Sequence, residues 1–321
     1  MGFRRISFLL MAGFGLFTPA VAEPQKVTLL TMNMWGAGAN AEKSIDETVA
    51  VMKASGADII SAQETVPEPN PCTAETCQAE DNKSRAADIA KALGYNFHEF
   101  KHNNENHWAD AVFSKYPIGK ETPNGVGVEI DVNGKKVVAY SMNLDDAPYQ
   151  PYQLLDIEYD KSPFIKTEAE AIKFASDTRG KALALLLADI KSESDTVAQF
   201  VMGDFNEPSA LDWTDKAVAA GQQPVAVKWP TTQGVLEAGF VDTFRVVYPD
   251  PVAKPGMTWT PTTEVTDKTD HHDRIDFVLA KAKTLKVVSA GIVGEKAPEA
   301  DLVVTPWPSD HRASMAVVEF E

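Results

Sequence analysis

Residues 126–144 read VGVEIDVNGKKVVAYSMNL, two β-rich runs joined at Asn133-Gly134. Asn-Gly is the dipeptide best suited to a type I′ turn, because both central positions of that turn need positive φ. The stretch therefore predicts an antiparallel hairpin, with strands at 126–132 and 135–144, and argues against a purely parallel sheet. Outward from it, β-rich runs at 27–34, 58–62, 109–114, 199–203, 273–280, 285–293 and 313–320 alternate with helical patterns at 41–55, 84–93, 167–190 and 209–220. In the helical stretches apolar residues recur at three and four positions. Ser209 with Asp212 resembles a capping box in position, with Asp in place of the usual Glu. No low-complexity linker or internal repeat interrupts the series, so 23–321 is expected to form one domain. The pattern fits an α/β fold in which mixed or antiparallel sheets are covered by helices, a layered sandwich.

The first residues carry Arg4 and Arg5, then an uncharged apolar run from Ile6 to Phe17, then Ala20-Val21-Ala22 before Glu23. This is the pattern of a secretory signal peptide over residues 1–22 with an A-x-A cleavage site. The run is too short for a membrane anchor, and no later stretch is long and apolar enough to span a bilayer. The expected protein is exported, periplasmic or secreted, with no transmembrane segment after processing, and a monomer. Net charge is −16, and loss of Arg4 and Arg5 leaves 28 basic against 46 acidic residues. Such a chain lacks the Lys and Arg clusters that hold phosphate backbones, so no stable nucleic-acid complex is expected. Cys72 and Cys77 are the only cysteines. In an oxidising compartment they are expected to form a small-loop disulfide contributing about 2 kcal/mol. Half of a metal site is the rival reading, weakened by the lack of a second pair or a neighbouring His.

Five strand ends carry polar residues that packing alone does not explain. Thr31-Met32-Asn33-Met34-Trp35 ends an apolar strand with an amide, and Ile59-Ile60-Ser61-Ala62-Gln63-Glu64 ends one with a carboxylate. Hard cations such as Mg²⁺ take carboxylate oxygens, with water and substrate phosphate completing the shell. In Val201-Met202-Gly203-Asp204-Phe205-Asn206, Asp204 and Asn206 are two apart and point the same way if the chain stays extended, which offers a carboxylate and an amide to one phosphate. Asp273-Arg274-Ile275-Asp276-Phe277 places Asp276 on the face opposite Ile275 and Phe277. Trp307-Pro308-Ser309-Asp310-His311-Arg312 leads into the last strand. A carboxylate beside an imidazole fixes its tautomer and stabilises its protonated form. No G-x-S-x-G nucleophile accompanies the His, so a metal-activated water is the more economical nucleophile.

Together, Gln63-Glu64, Gly203-Asp204-x-Asn206, Arg274-Ile275-Asp276-Phe277 and Ser309-Asp310-His311 resemble the endonuclease/exonuclease/phosphatase superfamily. It includes apurinic endonucleases, pancreatic-type deoxyribonucleases, neutral sphingomyelinases and inositol polyphosphate phosphatases. The match runs in order over almost the whole mature chain, and Ala111-Val112-Phe113-Ser114-Lys115-Tyr116-Pro117-Ile118 looks like the family's central strand and following turn. The resemblance implies a four-layered α/β sandwich of two packed mixed, mainly antiparallel sheets, with the site at one end. It implies Glu64 as a direct ligand of a divalent metal, Mg²⁺ with Mn²⁺ or Ca²⁺ as alternatives. Asn33 stands beside that ligand, and Asp310 completes the metal-proximal carboxylates. Asp204 orients or deprotonates the water, Asn206 binds a phosphate oxygen, and His311 contacts phosphate or serves as base, oriented by Asp276. Which of Asp204 and His311 takes the proton stays open.

One position departs from the family. Where members place a His before Leu, this chain has Asn143-Leu144. Asn keeps a donor for a phosphate oxygen but carries no proton between pH 5 and 8. Arg179, in the long helix, is a further candidate phosphate contact. Asp145, Asp146, Tyr149 and Tyr152 form a polar-aromatic loop that is either a wall of the pocket or a packed surface loop. His271 and His272 lack helical ligand spacing and read as a loop next to the site. Trp213, Trp229 and Trp259 stack on a base or sugar or serve as core aromatics. The expected activity is hydrolysis of phosphodiesters or phosphomonoesters in a phosphorylated small-molecule, nucleic-acid or lipid substrate. Acidic charge disfavours the nuclease, and the lack of an exposed apolar hairpin disfavours a sphingomyelinase-like lipase. The competing reading is a catalytically retired module that binds a phosphorylated ligand or a protein.

Overall fold

Period-two apolar alternation in the strands decides the layering. Leu29 points to one side of its sheet, and Leu30 to the other. The computed structural model describes Gly2 and residues 24–68, 83–101 and 104–321. The leader and the Cys72–Cys77 pair, for which export and a disulfide are expected, lie outside the described residues. In chain order the elements are β1 (Gln25–Asn33), α1 (Ile45–Ser55), β2 (Ile59–Gln63), α2 (Ala86–Leu93), β3 (Asn96–Glu99), β4 (Ala111–Ser114) and β5 (Ile118–Glu121). The hairpin β6 (Gly127–Val132) and β7 (Lys135–Asn143) follows, then α3 (Gln150–Leu155), α4 (Glu168–Ser192), β8 (Ala198–Asp204), α5 (Asp215–Ala219) and α6 (Pro230–Glu237). The series closes with β9 (Val241–Asp242), α7 (Thr243–Val247), β10 (Asp276–Ala282), β11 (Leu285–Gly294), β12 (Leu302–Val303) and β13 (Ala313–Phe320).

These strands form a seven-stranded sheet, β12-β11-β13-β1-β2-β4-β3, and a six-stranded sheet, β5-β6-β7-β8-β10-β9. Only β1/β2, β7/β8 and β11/β12 pair in parallel among the described residues. Val27, Leu29 and Ile59 of the first sheet interdigitate with Val137, Phe200 and Met202 of the second. Leu30, Met32 and Ile60 face α1 and α2, and Val138, Tyr140 and Val201 face α4 and α6. The result is helices, sheet, sheet, helices: the four-layered, mainly antiparallel sandwich. The hairpin turn has positive φ at both Asn133 and Gly134, as its sequence requires. No helix among the described residues is long and apolar enough to cross a membrane.

One local expectation fails for an identifiable reason, and two short strands were not foreseen. The helix expected at 209–220 shrinks to α5, capped by Thr214, whose Oγ1 accepts from the Ala217 N–H. Ser209 Oγ accepts from the Leu211 N–H instead, and the Asp212 carboxylate binds buried guanidinium groups. Short β3 and β5, mostly exposed, lack the alternation that would announce them.

Arg274 draws β10 against β9 and α7. Its guanidinium lies 2.6 Å from Asp242 and 2.9 Å from Asp212, over the ring of Phe277 at 4.6 Å, with Arg245 also on Asp212. Removing one partner of a buried pair leaves an uncompensated charge. Arg274→Met is therefore expected to cost about 3–5 kcal/mol, read as a lower urea midpoint with an unchanged slope. An unchanged midpoint would show the network to be dispensable.

Candidate active site

Register places the polar strand ends side by side. Asn33 ends β1 opposite Gln63 of β2, and Glu64 follows directly. Asp204 ends β8 between Asn143 of β7 and Asp276 of β10. Gly203 makes that approach possible: at φ +145° a Cβ there would sit 2.0 Å from the Met142 carbonyl oxygen. Glu64 and Asn206 have φ of 57° and 46°, in the left-handed region, which costs a Glu more than an Asn.

Asn33 clamps the two sheets together at this end. Its Nδ2 donates to Glu64 Oε1 at 2.8 Å and to Asp204 Oδ2 at 3.1 Å. Its amide oxygen accepts from the Trp35 N–H at 3.0 Å. Asn33 therefore stands beside Glu64, as expected of it, and spaces that carboxylate from Asp204. The last strand is tied in by Ser309, whose Oγ donates to the Asn33 carbonyl at 2.7 Å and accepts from the His311 N–H at 3.1 Å. Thr260 Oγ1 donates to the Asp310 carbonyl at 2.6 Å.

His311 is buried, with Nδ1 3.0 Å from Asp276 Oδ2 and Nε2 3.6 Å from Asp204 Oδ2. Burial disfavours its charged form, but Asp276 and Asp204 outweigh burial and hold the imidazole well above its ordinary value. The carboxylates shift up. Burial raises Asp204 against the pull of His311. Burial, then repulsion from Asp310, raises Glu64 well above its ordinary value. Burial raises Asp310 likewise.

The residues present fit a divalent cation. Asp310 Oδ1 and Asp276 Oδ1 are buried without a hydrogen-bond donor among the described residues. Like-charged Glu64 and Asp310, both desolvated, are the donor set that a hard cation neutralises. Asp204, Asp276 and His311 also offer ligand atoms within 4.8 Å of one another. A cation there would have to displace the proton that Asp276 and Asp204 stabilise on His311, whereas Glu64 and Asp310 offer oxygen alone.

Two expected phosphate contacts are not placed as such. Arg179 is 1% exposed, donating to Gln150 Oε1 at 2.7 Å and to the Pro148 carbonyl at 3.3 Å. It buttresses the 145–155 segment from behind, because a guanidinium in the core needs local acceptors. Asn143 gives its Nδ2 to the Trp108 carbonyl at 3.0 Å and Asp110 Oδ1 at 3.3 Å, so its donors are engaged inside the protein. Asp110 also accepts from Ser141 and lies 3.2 Å from His107 Nδ1. Asn206 gives one N–H to the Leu144 carbonyl and lines the cleft.

Asp145, Asp146, Tyr149 and Tyr152 do line the cleft, as does Trp259. Trp213 and Trp229 are core residues, about 1% exposed or less. His271 packs on Trp213, and His272 Nε2 lies 2.9 Å from Thr263 Oγ1. Trp35, Trp108, Tyr159 and Asp270 line the cleft too and were not foreseen. They sit on irregular segments, where no periodicity marks a facing direction.

Among solved structures, the 3′ phosphatase NExo from Neisseria bound to product DNA hairpin is similar at 16% identity, covering 92% of this chain and 99% of that one, with a TM-score of 0.54. An endonuclease/exonuclease/phosphatase from Beutenbergia cavernae is similar at 18% identity, covering 92% and 72%, with a TM-score of 0.53. TDP2 from Caenorhabditis elegans is similar at 16% identity, covering 92% and 75%, with a TM-score of 0.51. At these identities the likeness is one of fold. An uncharacterized protein of Caenorhabditis elegans, F14F9.5, is 26% identical over 307 residues, 92% of this chain and 91% of that protein. The family model of the Endonuclease/Exonuclease/phosphatase family matches residues 30–311, from β1 through His311, and the chain belongs to that family.

Proposed function

We propose that this protein is an exported, divalent-metal-dependent phosphoesterase. The observation that carries the reading is the His311–Asp276 pair facing Asp204, beside the carboxylates of Glu64 and Asp310. Glu64 and Asp310 would hold the cation, Mg²⁺ by its preference for oxygen donors. When bound, the cation lowers the pKa of water and neutralises charge developing on phosphoryl oxygens.

The chain's own residues do the rest. Asp276 accepts from His311 Nδ1 and keeps the imidazole charged, so His311 serves as a proton donor at Nε2. That leaves Asp204 as base: burial brings its pKa towards the range where a base is effective. Asp204 takes the proton of a water whose oxygen attacks phosphorus, while His311 Nε2 stabilises the anionic oxygens. Asn206 contributes its remaining N–H. Asn143 acts through Trp108 and Asp110, shaping the cleft without touching phosphate.

The test is a panel of plasmid DNA, RNA, an activated phosphodiester, a phosphomonoester and sphingomyelin, with and without EDTA. It uses protein exported by its own leader, whose N-terminus is expected at Glu23. Turnover of at least one ester is expected, lost in EDTA and restored by Mg²⁺. No turnover of any ester would favour the retired binding module. EDTA-resistant turnover would remove the metal from the mechanism.

A further inference from the structure

The cleft above the polar floor holds about 970 Å³. Its lining contains nine Asp and Glu residues, six Trp and Tyr residues, and, among the described residues, no Lys or Arg. Residues 69–82 and 102–103 contain no Lys or Arg either. Beyond the cation site a substrate with several phosphates would meet mainly carboxylates, with Lys181 already paired to Glu105 and Arg179 held behind the 145–155 segment, whereas a group of positive charge would be drawn in.

The aromatic residues are arranged as a wall that starts at the catalytic imidazole. The Trp259 ring is 5.0 Å from that of His311, and its Nε1 donates to the Tyr152 hydroxyl at 3.1 Å. Tyr152 meets Tyr149 at 4.8 Å and Tyr159 at 5.8 Å, each at 88°. All three phenols donate to carboxylates: Tyr149 to Asp273, Tyr152 to Asp270 and Tyr159 to Asp146. With the hydroxyls tied back, ring surface is what the wall offers. Donation to a carboxylate also enriches the ring in electron density. Perpendicular rings in edge contact leave no slot for a flat base to stack between them. They do form the walls of a corner that suits an ammonium, attracted to the ring faces.

The geometry points to a phosphate ester of an amino alcohol as substrate, its phosphorus at His311 and its ammonium against Tyr152, Tyr159 and Trp259. Asp146 and Glu158 supply counter-charge at the rim. The phosphate end of this inference rests on the phosphoesterase reading above; the ammonium end rests on the wall alone. One water adds its oxygen to phosphorus and gives a proton to Asp204, the bond from phosphorus to one ester oxygen breaks, and that oxygen leaves as an alcohol with the proton donated by His311 Nε2.

Binding is tested first, by calorimetric titration of the full chain in Mg²⁺ at fixed ionic strength. The probes are choline and its uncharged isostere 3,3-dimethylbutan-1-ol. Choline is expected to bind about tenfold more tightly, with Tyr152→Ala and Tyr159→Ala each reducing that preference. Equal binding of the two probes, or a choline affinity indifferent to both substitutions, overturns the proposal. Turnover is tested second, with p-nitrophenyl phosphocholine against p-nitrophenyl 3,3-dimethylbutyl phosphate. A preference of about tenfold in kcat/KM for the cationic ester, carried by KM, is expected. Preference for the neutral ester or for a dinucleotide overturns it. Choline binding without turnover of any ester leaves the wall standing and refutes the hydrolase reading instead. Glycerophosphocholine and phosphatidylcholine vesicles then separate a soluble source from a membrane one, and cleavage of either supports the assignment.

Discussion

His311→Ala is expected to lower kcat for an activated phosphodiester by about 10³-fold, with KM little changed. His311 meets Asp276 at Nδ1 and Asp204 at Nε2, and no other described cation approaches the Asp204 carboxylate within ion-pair distance. Its removal takes away a charge that matters most as negative charge builds on the phosphoryl group, a kcat effect. The pH profile supplies the sign. His311 acts protonated and its pKa is raised, so activity should fall as pH climbs through a value well above that of a free imidazole. Asp204 acts ionised and its pKa is raised, so activity should fall on the acid side at a higher pH than an ordinary Asp gives. The variant should lose the alkaline limb, and its acid limb should move to higher pH, because His311 no longer pulls the Asp204 pKa down. Wild-type kcat, or an alkaline limb that does not move, would remove His311 from the chemistry.

Glu64→Gln should be at least as damaging to activity, about 10³-fold or more, because several kcal/mol of charge stabilisation depend on the cation it would hold. Its effect on stability has the opposite sign. Burial and Asp310 raise the Glu64 pKa above the ordinary 4.5, so the ionised carboxylate is a liability in metal-free protein. The contribution is favourable below about pH 4.5 and is lost as pH rises through the folded value. Gln keeps an oxygen for Asn33 and carries no charge. Metal-free Glu64→Gln should therefore melt above metal-free wild type at pH 8, with the gap closing towards pH 4. Mg²⁺ should raise the melting temperature of wild type and leave the variant nearly unmoved. A variant that melts lower at pH 8, or that still responds to Mg²⁺, contradicts the assignment.

The strands bearing Asn33, Asp204 and Asp276 were legible because alternating apolar residues fix both their existence and their facing, and a one-residue slip would invert every side chain. Polar residues at their ends then converge as a consequence of pairing. The hydrogen-bond partners of Arg179 and Asn143 were not legible, for a different reason. A sequence gives the inventory of donors but not the acceptors that tertiary structure brings to them, here Gln150, Pro148, Trp108 and Asp110. The aromatic wall was half visible: Tyr149, Tyr152 and Trp259 stood out by type, while Tyr159 and Asp270 acquire a shared direction only through hydroxyl-to-carboxylate bonds on irregular segments.

β13 lies inside its sheet, between β11 and β1, so Gln25 waits for Phe320 and the Asn33 carbonyl waits for a hydroxyl 276 residues away. On the ribosome, β1 emerges early and has only β2 beside it for most of synthesis, with its other edge bare. Loop-closure entropy of that size makes completion of the sheet a late event in folding. His311 arrives on the same closing segment. A nascent or C-terminally clipped chain would therefore present a sticky edge and lack His311, so the closing segment both covers the edge of β1 and completes the candidate site.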